Sequence, residues 1–187
     1  MRVIGGKFKG KKLIKPKDKE TRPLKDLTKE SIFNIINHSN KFSIDIKKAY
    51  ILDLFSGVGS FGIECLSQGA NHVTFIEKYE GVLPILKKNL NNLKSEINYK
   101  IIESDILNKF EFKSLKLRYD IIFLDPPYKE KALENILNKI IENKILRNNG
   151  VIIIHRHKKE IETFPKNFYL IDEKKYGISK IIFGSCS

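Results

Sequence analysis

The residues best suited to chemistry stand at the end of Tyr119 to Tyr128, where the apolar run Ile121-Ile122-Phe123-Leu124 stops at Asp125-Pro126-Pro127-Tyr128. A carboxylate, a rigid turn and an aromatic ring delivered together suit attack by an exocyclic amine. The lone pair of a nucleobase NH2 is delocalised into its ring, so the amine is a poor nucleophile. A carboxylate oxygen and a main-chain carbonyl that each accept one N–H favour a pyramidal nitrogen and stabilise the positive charge that grows on it. The two prolines hold the carbonyl, and Tyr128 offers a face on which an extruded base can stack. Alone, the tetrapeptide reads equally well as a strand-to-loop turn with a surface acid and tyrosine, so its surroundings decide.

A second constellation lies upstream. Gly57, Gly59 and Gly62 form G-x-G-x-x-G directly after the apolar run Ile51-Leu52-Asp53-Leu54-Phe55. Two glycines permit a tight turn and close approach of backbone to a ligand, and the third permits helix–sheet packing. Glu77 ends the next apolar run, where an acid can bind both hydroxyls of a ribose. Asp105, ending the third, can accept from an adenine amino group, and Asp53 can face an ammonium. Phe55, Lys78, Ile106 and Asp125 complete the expected cofactor contacts. Two nucleoside cofactors fit, a dinucleotide and S-adenosylmethionine. Asp125-Pro126-Pro127-Tyr128 has no obvious task in hydride transfer, whereas it suits methylation of an amine. The expectation is S-adenosylmethionine, with S-adenosylhomocysteine as product and no metal.

The elements that must position these groups follow from periodicity. Short apolar runs at Ile51–Phe55, His72–Glu77, Tyr99–Glu103, Tyr119–Leu124 and Gly150–His155 read as strands buried in a parallel sheet. Helical spacing appears between them: from Ser60 to Gly69, then on Val82, Leu83, Leu86, Leu90 and Leu93, then on Leu133, Ile136, Leu137, Ile140 and Ile141. Two more strands are expected near Tyr169–Tyr176 and Lys180–Gly184. Alternation of this kind predicts a doubly wound α/β fold, Rossmann-like, of one domain. Ahead of it, a hairpin over the first 17 residues and a helix near Lys25–Asn37, with Leu27, Ile32, Ile35 and Ile36 inward, form a basic extension.

Charge points to a polyanionic partner. The chain of 187 residues carries a net charge of +13, and its first 17 residues hold seven basic side chains and no acidic one. Arg2, Lys7, Lys9, Lys11, Lys12 and Arg22 are the expected RNA contacts. Two cysteines form no disulfide framework, no apolar run reaches the length of a membrane span, and Met1-Arg2-Val3 opens no signal peptide. A cytoplasmic, monomeric protein with no membrane partner is expected.

Arg2-Val3-Ile4-Gly5-Gly6, Thr21-Arg22-Pro23, Asp53-Leu54-Phe55-Ser56-Gly57-Val58-Gly59, Asp125-Pro126-Pro127-Tyr128 and Tyr176-Gly177 stand in the order found in RsmD-type enzymes. The chain resembles that family of bacterial 16S ribosomal RNA guanine-N2 methyltransferases over nearly its whole length. The resemblance implies a class I methyltransferase sheet of seven strands, the last antiparallel, over 49–187, preceded by the RNA-contacting extension 1–48. It implies methyl transfer from S-adenosylmethionine to N2 of one guanine in the small ribosomal subunit. On the same footing, Glu77 is the cofactor acid, Asp105 the adenine acid and Asp125 to Tyr128 the target-amine motif. Two positions depart from the pattern: Leu24 where the family has Thr, and His155-Arg156-His157 where an acid is expected. The side chains of His155 and His157, on one strand face, are expected to face solvent or RNA, with a two-histidine metal site the weaker option. The competing readings are a DNA adenine-N6 methyltransferase, for which the chain lacks room for a recognition insert, and a non-catalytic RNA-binding or assembly factor. A dinucleotide oxidoreductase ranks last.

Overall fold

In the computed structural model, which describes residues 1–16, 24–94, 97–126 and 132–186, the apolar runs pair into one seven-stranded sheet. Its strands are β1 (Tyr50–Leu54), β2 (His72–Glu77), β3 (Tyr99–Glu103), β4 (Tyr119–Leu124), β5 (Leu146–His157), β6 (Phe168–Tyr176) and β7 (Ser179–Cys186). They lie in the order β3-β2-β1-β4-β5-β7-β6. The first five are parallel, and β7 runs antiparallel to both its neighbours. Ile51, Leu52, Leu54, Ile121, Ile122 and Leu124 are fully buried because helices cover both faces of the sheet.

Helices α1 (Asp26–His38), α2 (Ser60–Ser67) and α3 (Leu83–Asn91) pack on the face that carries Ile51, Phe75, Ile121 and Phe123. Helix α4 (Ala132–Glu142) packs on the other, against Leu52, Ile122 and Ile152. Phe61 of α2 stacks on Phe123 with ring centroids 4.1 Å apart and on Phe33 of α1 at 5.4 Å. This aromatic column seats the first turn of α2 against β4, two residues before Asp125.

The N-terminal segment folds back on itself as a very short hairpin, with Val3 N donating to Lys11 O at 2.9 Å, Gly10 N to Val3 O at 2.9 Å and Leu13 N to Met1 O at 3.3 Å. Strand pairing shrinks to a single antiparallel bridge between Arg2 and Lys12, because Gly6 (φ +70°) and Gly10 (φ +85°) turn the chain sharply. Other amides of the segment pair with α2: Ile4 and Gly5 donate to the Glu64 carboxylate at 2.8 and 2.7 Å, and the Lys7 amide donates to Ser67 O at 2.7 Å. Val3, Leu13 and Leu24 join the same core as β1 and α2. Leu24, a departure from the family pattern, thus packs as a core side chain. Helix α1 buries Ile32 and Ile36 and packs Ile35 against the core as expected, but Leu27 is 70% exposed, and Thr28, Lys29 and Phe33 are buried in addition. Lys29 is fully enclosed because its Nζ lies 3.3 Å from Glu64 Oε2 and donates to Arg2 O at 2.6 Å.

Candidate active site

The site lies along the carboxyl edge of the sheet, where the strand order reverses between β1 and β4. Open α/β sheets leave a ligand crevice at such a switch point. Leu54 and Leu124 are in register, so the glycine turn and Asp125 leave neighbouring strands in step. Sheet neighbours lie about 4.8 Å apart, which brings the two expected halves of the site within reach of each other.

The turn after β1 is built from left-handed residues. Phe55 (φ +61°), Gly57 (φ +55°) and Gly59 (φ +85°) all occupy that region. For Phe55 the conformation costs about 1–2 kcal/mol, which its surroundings offset. A Cβ on Gly62 would sit 2.3 Å from Phe75 Cε1, so the third glycine of the motif permits the helix–sheet contact. Asn89 of α3 braces the turn from outside, donating to Val58 O at 3.1 Å and to Ile14 O at 3.2 Å. Ser60 Oγ, in the first turn of α2, is buried without a hydrogen-bond partner among the described residues. A helix N-terminus favours an anionic group, and this hydroxyl is a spare donor beside one.

The acids differ sharply in environment. Asp53 is 1% exposed and accepts the Gly62 amide at 2.9 Å. Burial pushes its carboxyl up to about 8; the Gly62 bond opposes this, and the charges of Glu77 and Asp125 add to it. Glu77 closes β2 on the turn: Oε2 accepts the Gly57 amide at 2.7 Å, and Oε1 accepts those of Lys78 and Tyr79 at 2.8 and 2.9 Å. Asp105 is half-buried beyond β3. Burial raises its carboxyl, but bonds from Asn108, from Lys78 Nζ at 3.0 Å and from the Leu107 amide outweigh this and hold it at about 2. Ile106 beside it is buried, and Lys78 is turned toward Asp105.

At the end of β4, Asp125 is half-buried and its Oδ1 lies 3.0 Å from His155 Nδ1. The other ring nitrogen of His155 lies 3.0 Å from Ser179 Oγ. Pro126 O accepts from Arg156 Nη1 at 3.1 Å, and Arg156 is itself buried against Glu162, its Nε 3.0 Å from Oε1. Pro127 and Tyr128 lie outside the described residues. His155 and Arg156 therefore both reach the Asp125–Pro126 corner, and for His155 this overturns the expectation of a side chain facing solvent or RNA. Among the described residues no group of three or more His, Cys, Asp or Glu side chains is placed to hold a metal ion.

Of the expected RNA contacts, Arg2, Lys7, Lys9 and Lys12 are exposed, and Lys11 donates to Asn92 O. Lys7 and Lys11 both stand over the Phe8 ring, at 5.7 and 5.8 Å. Arg22 lies outside the described residues.

The family described as conserved hypothetical protein 95 matches residues 1–185. The chain belongs to that family. Among its relatives, a Haemophilus influenzae protein named ribosomal RNA small subunit methyltransferase D is 34% identical over 95% of this chain and 90% of its own. The Escherichia coli protein of the same name is 32% identical over 95% and 85%. A solved Escherichia coli structure that carries a provisional methyltransferase description, yhhF, aligns with a TM-score of 0.81 at 30% identity, covering 98% of this chain and 96% of that one. The fold is the class I methyltransferase sheet that the resemblance implied.

Proposed function

We propose that this chain methylates 16S ribosomal RNA of the small subunit at the exocyclic N2 amine of a guanine, with S-adenosylmethionine as donor. The observation that carries the reading is adjacency: the glycine turn, with Glu77 and Asp105 in line beyond it, and the Asp125 corner leave neighbouring parallel strands in register. The family relatives named as small-subunit ribosomal RNA methyltransferases support the substrate class.

The residues fit the cofactor. Glu77 suits the ribose hydroxyls, Asp105 the adenine amino group, and Gly57 and Gly59 a close backbone approach, with Ser60 Oγ a spare donor alongside; Asp53, held protonated by burial, would ionise to meet the ammonium. When bound, S-adenosylmethionine supplies a methyl group made electrophilic by its sulfonium. Asp125 accepts one N–H of the guanine amine, orients the nitrogen lone pair and stabilises the positive charge that grows there. The amine proton leaves after transfer, so no strong base is required. Alignment contributes most, as well-oriented reactants supply about 7–11 kcal/mol of such barriers. In this reading residues 49–187 carry catalysis in the cytoplasm, and residues 1–48, with Arg2, Lys7, Lys9, Lys11, Lys12 and Arg22, meet RNA phosphates.

The test is transfer of label from methyl-labelled cofactor to purified small subunits, with duplex DNA in parallel and the product mapped by mass spectrometry. Asp125→Ala should lower the rate about 10²-fold, by analogy with loss of a transition-state acceptor, while calorimetry finds cofactor affinity nearly unchanged. Label in duplex DNA, or full rate in the variant, refutes the reading.

A further inference from the structure

The reaction proposed above needs Asp125 in one orientation, and an aspartate at a strand end does not supply that by itself. Rotation about its terminal sp³–sp² bond is broad and roughly two-fold, so the carboxylate plane needs a second anchor. Resting on the methyl-transfer reading, we infer that His155 is that anchor: a positioning residue that fixes the Asp125 carboxylate from behind, with Ser179 fixing His155 in turn.

The hydrogen-bond inventory assigns the proton. A carboxylate only accepts, so the 3.0 Å contact from His155 Nδ1 to Asp125 Oδ1 is a donation by the ring. Ser179 Oγ, 3.0 Å from Nε2, donates to a neutral ring and accepts from a charged one. The ring therefore keeps its place in either charge state. Three strands build the relay. Leu124 and Ile154 pair in register, which sets Asp125 beside His155, and β7 brings Ser179 to the far side of the ring. The histidine side chain is 14% exposed and the aspartate 27%, so the carboxylate opens to the crevice and the ring stands behind it. With Oδ1 committed to His155, Oδ2 is the oxygen that meets the amine.

The main chain is held separately. Arg156, the next residue of β5, reaches round the other face of the sheet to Pro126 O at 3.1 Å, and Glu162 anchors it there. Loss of the imidazole therefore frees the carboxylate while the backbone of the corner stays held.

The experiment compares His155→Ala and His155→Asn in the full chain. The amide nitrogen of asparagine can stand where Nδ1 stood. His155→Ala should lower kcat on small subunits about 10- to 100-fold, the scale of a 1 Å misplacement near reacting atoms, with cofactor Kd and RNA KM little changed. His155→Asn should return most of the rate. A wild-type kcat in His155→Ala, or no recovery in His155→Asn, overturns the inference. Nitrogen NMR of the free protein needs no substrate: a protonated Nδ1 whose signal moves in Asp125→Asn supports the pairing, and an unprotonated one overturns it. A wild-type chain with protonated Nδ1 that labels no small-subunit RNA refutes the proposed function and leaves the pairing standing.

Discussion

Asp53 makes the chain less stable as pH rises, and the size of the effect follows from its burial. Its carboxyl stands near 3.8 when solvated and at about 8 in the fold. Between those values the folded chain holds a proton that the unfolded chain releases, so raising the pH favours unfolding. Each pH unit well inside the window removes about 1.4 kcal/mol, so this one group removes roughly 3 kcal/mol between pH 5 and pH 7. Asp53→Asn keeps an oxygen for the Gly62 amide and resembles the protonated acid in shape, but does not titrate. The variant should gain on wild type across that interval. At about 2–4 °C per kcal/mol for chains of this size, the gap in melting temperature should widen by roughly 6–12 °C. Thermal unfolding of the cofactor-free proteins at pH 5, 6 and 7 measures it, and other titrating groups cancel in the difference. A gap that stays constant with pH would refute the argument, because it would mean that Asp53 ionises inside the fold as it does in water.

Two further outcomes are expected. Lys29→Met strands the enclosed Glu64 carboxylate without its cation, which should cost about 3–5 kcal/mol; Lys29→Met with Glu64→Gln should recover part of it in denaturant titrations, and equal losses in the two would refute the pairing at 3.3 Å. Deleting the basic arm is a poor probe, since Val3 and Leu13 lie in the core. Neutralising the exposed Lys9 and Lys12 instead should reduce the slope of log affinity for RNA against log salt by about 1.4, or 0.7 for each lost single-strand phosphate contact, and an unchanged slope would remove both from the interface.

The sheet was legible because its strands are short, apolar on both faces and separated by helical spacing; His72–Glu77, Tyr99–Glu103 and Tyr119–Leu124 needed no adjustment. Strand β5 runs from Leu146 rather than Gly150, since pairing with Tyr119 extends it through polar Arg147, Asn148 and Asn149. That partner lies far off in sequence, and no local pattern reveals it. Lys29 shows the same limit: a lysine on a helix reads as solvated until Glu64, from another helix, encloses it. The glycine turn and its acids were legible because backbone geometry restricts the residue types there. His155 was misread because its meaning depends on register across two strands, and a histidine among basic side chains on a basic chain looks like surface.

The carboxylate of Glu77 already accepts three amides. An ionised carboxylate has about four lone-pair positions, and a ribose diol asks for two of them. In the proposed reading, docking of a nucleoside at Glu77 is therefore a substitution of partners and not a simple addition: one peptide N–H, from Gly57 or from the residues just after the strand, would let go as the sugar arrives. The affinity for the sugar is then the difference between two sets of hydrogen bonds, one of them made by the protein's own main chain.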